Sequence, residues 1–162
     1  MHPEPRFDAR DAARDGEELG PLPEWDLSAL YAGPDDPALA RDMDQVAAEA
    51  AAFAERYEGK LADLDAAGFL ECIRAYEAIQ NRSGRVMSYV GLRHYQNTLD
   101  PARAKAYGDA DTRITEATTP LVFFTLELNR LDEAVLSSAI DEPGLSHYQP
   151  WLRDLRDMRP YQ

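Results

Sequence analysis

The sequence is poor in the residues that build the commonest chemical sites. Among its 162 residues there is one cysteine, Cys72, and there are three histidines, His2, His94 and His147. A single cysteine excludes an internal disulfide and a thiolate metal cluster within one chain, and we expect Cys72 to be a small buried side chain. No pair of histidines has helical metal spacing, and HExxH, a nucleophile elbow and a glycine-rich phosphate loop are all missing from the sequence.

Basic residues and long apolar runs are also scarce. The chain has 17 Lys and Arg against 30 Asp and Glu, a formal net charge of -13. This charge argues against nucleic acid and against anionic membrane surfaces as partners. The longest apolar run, at residues 120–126, is far shorter than the roughly 20 residues that cross a bilayer. Residues 1–23 lack the apolar centre of a secretory signal, so we expect a cytoplasmic protein.

Helical periodicity fills most of the chain. Three long segments, starting at Asp36, Asp65 and Pro101, carry apolar residues every three or four positions. No segment alternates polar and apolar residues for long enough to indicate a strand. We therefore predict an all-α fold, an antiparallel bundle of long helices spanning residues 24–162. Residues 1–23, rich in proline and charge, are predicted to form a disordered arm.

The second segment, residues 65–97, is predicted to be the central helix. Its predicted packing stripe consists of Phe69, Ile73, Tyr76, Gln80, Gly84, Met87, Gly91 and His94. Each glycine inside a helix costs ~1 kcal/mol relative to alanine, so a compensating contact is expected. We predict that a partner helix approaches closely between Gly84 and Gly91.

The third segment contains a proline. Its stripe runs through Tyr107, Ala110, Ile114, Ala117, Leu121, Phe124, Leu128 and Leu131. Pro120 interrupts this pattern and predicts a kink, because proline removes a helical hydrogen bond. Residues 121–126 are apolar on nearly every side, which is typical of a helix surrounded by protein. A short helix is predicted from Asp132, and a last amphipathic helix around Trp151.

Four residues of the central helix form a candidate binding surface, which we call the arginine stripe. These are Arg82, Arg85, Tyr89 and Arg93, spaced three or four apart in an otherwise acidic protein. Such a stripe could hold a peptide carboxylate. The alternative is a solvated face whose arginines pair with neighbouring Asp and Glu.

Glu127 is the second candidate, because it lies between Leu126 and Leu128 in the apolar helix. A carboxylate in that position either has a raised pKa for a functional purpose or is neutralised by a partner such as Arg130. We expect pairing.

Several motifs resemble one family when they are taken in order along the chain. They are PEWDLSALY at residues 23–31, SGRVMSY at 83–89, DPAR at 100–103, PLVFFTLELN at 120–129, YQPWLR at 148–153 and RPY at 159–161. In this order they resemble the amino-terminal region of oligoendopeptidase F and its relatives among the thimet-type zinc metallopeptidases. The resemblance extends over roughly residues 23–162.

The resemblance implies a cytoplasmic, all-helical zinc peptidase that hydrolyses short peptides in a deep channel. In that family HExxH and a further glutamate lie later in the chain, and this sequence ends before any such motif. We therefore expect an amino-terminal lobe that forms one wall of the channel, is inactive alone and works with a missing C-terminal catalytic region. No catalytic or zinc-binding residue is carried over to this chain. The alternative is a free-standing binding module that uses the arginine stripe.

Overall fold

The computed structural model describes residues 24–132, 136 and 143–157. The predicted arm and nearly all of the short helix predicted after Asp132 lie outside the described residues. The α-helices are α1 (Pro37–Tyr57), α2 (Ala66–Gln96), α3 (Pro101–Thr118), α4 (Val122–Arg130) and α5 (Gln149–Asp157). Turns of 3-10 helix lie at Leu61–Asp63, Thr119–Leu121 and Pro143–Tyr148. The described part of the chain contains no strand, so the all-α prediction is confirmed.

An aspartate caps the start of each of the first three helices. Asp36, Asp65 and Asp100 each accept a hydrogen bond from a backbone N–H two or three residues further on, at 2.8, 2.8 and 2.9 Å. These bonds satisfy amide groups of the first turn that have no partner inside the helix. Pro37 and Pro101 occupy the first turn, where the N–H that proline lacks is not needed.

The side-chain contacts between α1 and α2 show that these helices are antiparallel. They join Arg56 to Glu71, Phe53 to Tyr76, Glu49 to Arg82 and Asp42 to Arg85. Residue numbers fall along α1 as they rise along α2, which is the pattern of two antiparallel helices joined by a short connection.

The third predicted helix is broken where proline was expected to kink it. The turn Thr119–Leu121, which contains Pro120, separates α3 from α4. Contacts of Asp44 with Arg113 and of Phe53 with Phe124 run in the same direction along both segments. The α3–α4 segment is therefore parallel to α1, and the first three segments alternate in direction.

The core lies where α1, α2 and α4 meet. Phe124 is completely buried, and its ring centre lies 4.4 Å from that of Tyr76 and 5.3 Å from that of Phe53. Trp151 of α5 closes this cluster at 6.3 Å from Phe124. The stripe predicted for the third segment is confirmed, since most of its members are buried and Tyr107 and Ala117 pack against the core.

The stripe predicted on α2 is correct in its first half, and in its second half Met87, Gly91 and His94 are at least partly buried. Beyond Tyr76 the buried positions are Ile79, Ser83, Val86, Tyr89, Val90 and Gly91. Gln80 and Gly84 are exposed, and a Cβ added to Gly84 would meet nothing within 4 Å. A Cβ on Gly91 would meet the ring of Tyr107 at an ordinary 3.6 Å. The predicted close backbone approach is therefore wrong: Gly84 faces solvent, and Gly91 meets only a side chain.

In the part of the chain that the structure describes, no helix is both long and apolar enough to cross a membrane.

Candidate functional site

The arginine stripe on α2 faces acidic groups of α1. Arg82 lies 3.1 Å from a carboxylate oxygen of Glu49 and 3.6 Å from one of Asp42. Arg85 lies 3.3 Å from the other oxygen of Asp42. Its guanidinium also donates to the backbone carbonyl of Leu30. Both arginines therefore have partners inside the protein.

Asp42 is the centre of this network. Its side chain belongs to a residue only 6% exposed, and its Oδ2 accepts a hydrogen bond of 2.7 Å from the hydroxyl of Tyr31. Burial, with help from Asp42, raises the pKa of Tyr31 above that of an ordinary tyrosine. Arg85 lies over the Tyr31 ring at 4.4 Å, a cation–π contact. A buried carboxylate with three such partners is a structural tie between the residues before α1, α1 itself and α2.

The other two stripe residues differ in exposure. Tyr89 is buried and makes an edge contact with Tyr31 at 5.1 Å. Arg93 is partly buried and lies with Tyr89 at a small cavity of about 50 Å³ between α1, α2 and α3. Its backbone carbonyl accepts a hydrogen bond from Arg103 at 3.0 Å. The contacts of Arg82 and Arg85 fit the alternative in which the stripe arginines pair with neighbouring Asp and Glu. Binding of a peptide by the stripe stays a prediction.

Glu127 has a backbone partner. Its Oε1 accepts a hydrogen bond of 2.6 Å from the N–H of Gly59, the glycine that follows α1. Gly59 has a φ of 73°, the left-handed conformation that glycine adopts at helix ends without steric cost. Glu127 therefore ties α4 to the end of α1. The partner that the structure gives is this amide, where the sequence suggested Arg130.

The remaining reactive groups show no catalytic arrangement among the described residues. Burial raises the pKa of the Cys72 thiol to about 12, so it stays protonated and unreactive at neutral pH. His94 stacks on Tyr107 at 5.6 Å, and His147 is exposed. Within residues 24–132 and 143–157, no group of three or more His, Cys, Asp or Glu side chains is placed to hold a metal ion.

The outward face of α4 is apolar and open to solvent. Val122 is 59% exposed and Leu126 is 48% exposed, one turn apart on the helix. Phe124 and Leu128 on the opposite face are buried in the core. The prediction of a helix surrounded by protein is thus wrong for this chain by itself, because only one face of α4 is covered.

Sequence reasoning missed a cavity between α2 and the end of the described chain. This aromatic cavity has a volume of about 290 Å³ and is lined by Ile73, Tyr76, Glu77, His147, Tyr148 and Trp151. The hydroxyl of Tyr148 donates a 2.7 Å hydrogen bond to Glu77, which raises the pKa of Tyr148. Tyr76 and Glu77 are neighbours in the sequence, as are Tyr148 and Trp151 within one helical turn. No pattern in the neighbouring sequence indicates that these two groups of residues contact each other in the fold.

One comparison with known proteins gave a match. A family model for the N-terminal domain of M3-type peptidases, described as Oligopeptidase F, matches residues 127–162. This stretch begins inside α4 and includes α5. The match confirms, over these residues, the resemblance to the amino-terminal region of oligoendopeptidase F. No curated protein and no solved structure matched the chain.

Proposed function

We propose that this chain is the N-terminal helical lobe of a zinc-dependent oligopeptidase that hydrolyses short peptides, and that it forms a wall of the substrate channel. The observation that carries the proposal is the family match over residues 127–162. The order of the sequence motifs from residue 23 onwards is consistent with it.

The open face of α4 supports a role as part of a larger body. Val122 and Leu126 leave apolar surface in water although the same helix supplies Phe124 to the core. Apolar surface of this kind is stabilised when another surface covers it. We propose that the catalytic region of the peptidase is that cover.

The described residues do not fit a zinc site, since they hold no group of three or more His, Cys, Asp or Glu side chains placed to hold a metal. The sequence also contains no HExxH. We therefore propose that zinc, the general base and the water-activating chemistry belong to a region outside these 162 residues. The contribution of this lobe is structural: it holds helices in fixed positions beside the peptide.

The contacts among α1, α2 and α4 support the proposed role of a rigid wall. Asp42 joins Tyr31, Arg82 and Arg85 into one network, and Glu127 joins α4 to the end of α1. Ties between elements that are distant in sequence limit their relative motion. The alternative function, a free-standing binding module, draws less support because two of the three arginines it would use already bind Asp42.

The test is the open reading frame that contains this sequence, expressed as one protein. We expect the frame to encode HExxH after Gln162 and its product to hydrolyse an internally quenched short peptide. A chelator should abolish hydrolysis and added zinc should restore it, and replacing the HExxH glutamate with glutamine should also abolish it. A stop codon directly after Gln162, or a product without zinc-dependent hydrolysis, would contradict the proposal.

A further inference from the structure

The aromatic cavity is built from two parts of the chain that are far apart in sequence. Tyr76 and Glu77 come from α2, whereas Tyr148 and Trp151 come from the turn before α5 and from α5 itself. The Tyr76 and Trp151 rings are nearly parallel, at 23° with centres 6.4 Å apart. The Tyr148 hydroxyl binds Glu77 and so fixes the position of its ring against α2. The walls are therefore held in place by contacts within the protein.

The chemistry of these walls selects for positive charge. Aromatic faces carry partial negative charge and attract ammonium and guanidinium groups. Glu77 adds a carboxylate that is partly buried, and its hydrogen bond with Tyr148 involves only one of its two oxygens. The net charge of -13 favours the approach of cations over anions. A pocket with apolar walls and one fixed charged group is the usual form of a small-ligand site.

A cation of the protein already lies at the edge of the cavity. The hydrogen bond to Glu77 raises the pKa of Tyr148, whereas the nearby charge of Arg74 lowers it. Arg74 is exposed and is not part of the cavity lining. A guanidinium group is therefore already present close to Tyr148, at the edge of the cavity.

We propose that the aromatic cavity binds an organic cation, an alkylammonium or guanidinium group, between its aromatic walls and the carboxylate of Glu77. The cation is either a free amine or the side chain of a basic residue in a peptide. The site does not depend on the peptidase function proposed above, because it lies wholly within the described residues of this chain.

Binding is measured by fluorescence of Trp151. The chain has two tryptophans, so a Trp25→Phe background leaves Trp151 as the only reporter.

The probes are n-butylammonium, Nα-acetyl-lysine amide and Nα-acetyl-arginine amide. Nα-acetyl-citrulline amide is the control, since it matches the arginine probe in shape but is neutral. We expect the arginine probe to bind at least about tenfold more tightly than the citrulline probe. Equal affinities of butylammonium and the lysine probe would indicate a free amine as ligand, and tighter binding of the lysine probe a peptide.

Two substitutions on α2 separate the site from the general acidity of the protein. Glu77→Gln keeps a partner for Tyr148 but removes the charge, and we expect about tenfold weaker binding of the arginine probe. Glu71→Gln removes the same charge outside the cavity, where Glu71 pairs with Arg56, and should leave affinity within about twofold. Arg74→Gln removes the positive charge near Tyr148, which repels an external cation, and should tighten binding. Circular dichroism confirms that each variant is folded.

Three results would overturn the proposal. The citrulline probe could bind as tightly as the arginine probe, which would mean that charge is not recognised. Glu71→Gln could weaken binding as much as Glu77→Gln, which would assign the effect to the overall field. Finally, folded protein could give no change in Trp151 fluorescence with any cationic probe at millimolar concentration.

Discussion

The arginine stripe of α2 and the outward face of α4 differ in whether the protein itself satisfies them. The sequence indicated Arg82 and Arg85 as part of a binding surface, but in the structure Asp42 and Glu49 of α1 bind them. Val122 and Leu126 looked like core residues, yet they face solvent. Unusual residues are therefore weak indicators of a binding surface until their internal partners are known, and the surface left open is the better candidate.

The largest effect is expected on the two faces of α4. Phe124→Ala should lower the free energy of unfolding by about 3–5 kcal/mol, because the lost ring leaves a cavity among four other aromatic rings. Leu126→Ala should cost less than about 1 kcal/mol, since the side chain is half exposed. Urea denaturation followed by circular dichroism measures both. Equal losses would mean that the outward face is covered after all.

The next effect concerns the buried centre of the arginine network. Asp42→Ala should destabilise the protein by about 2–3 kcal/mol, because the Tyr31 hydroxyl loses its acceptor and two arginines lose a partner. Asp44→Ala is the matched control: its carboxylate is exposed and pairs with Arg113, so the cost should stay below about 1 kcal/mol. The same denaturation experiment compares them. If Asp42→Ala lowered the free energy of unfolding no more than the control does, the conclusion that Arg82 and Arg85 are bound within the protein would be contradicted.

A smaller effect is expected at the tie between α1 and α4. Gly59→Ala should cost about 1–2 kcal/mol, since alanine is strained at a φ of 73°. Gly33→Ala serves as the control, because Gly33 does not have a positive φ and an added Cβ there would meet nothing within 4 Å. That change should be neutral or slightly stabilising. Thermal unfolding compares the two variants. Equal transition temperatures would contradict the expectation that alanine is strained at position 59.

The smallest effect is expected at Arg93, the stripe arginine that does not pair with Asp42 or Glu49. Arg93→Gln should change stability by no more than about 0.5 kcal/mol, so its effect on binding can be measured in folded protein. We expect its affinity for an acidic peptide, measured by calorimetry, to differ from wild type by less than about twofold. A large loss of affinity would instead revive the arginine stripe as a carboxylate-binding surface.

Local sequence signals predicted the helices well. Asp36 and Asp65 cap helices as expected, and Pro120 breaks the third segment because proline cannot supply a helical N–H. Apolar spacing located the core positions from Ala110 to Leu131, where one face of the segment packs and the other is exposed. These features depend on residues within a few positions of one another.

The features that sequence reasoning missed depend on distant residues. On α2 the stripe failed at Gln80 and Gly84, which are exposed. This helix is packed on several sides, and its buried positions include Ser83, whose hydroxyl bonds to the carbonyl of Ile79. The partner of Arg85 lies on α1, and that of Glu127 lies just after α1, both far away in sequence. Charge pairing and cavities of this kind follow from the tertiary arrangement, which apolar periodicity does not encode.

We propose that the catalytic region of a peptidase covers the outward face of α4. The most direct test is the rate at which a maleimide labels Leu126→Cys in the 162-residue chain and in the product of the full reading frame. Cys72 gives little background, because it is buried and its pKa is about 12. Leu99→Cys, at a residue 91% exposed in the connection between α2 and α3, is the control in both proteins. We predict fast labelling of Leu126→Cys in the short chain and protection in the full product, and equally fast labelling in both would contradict the claim.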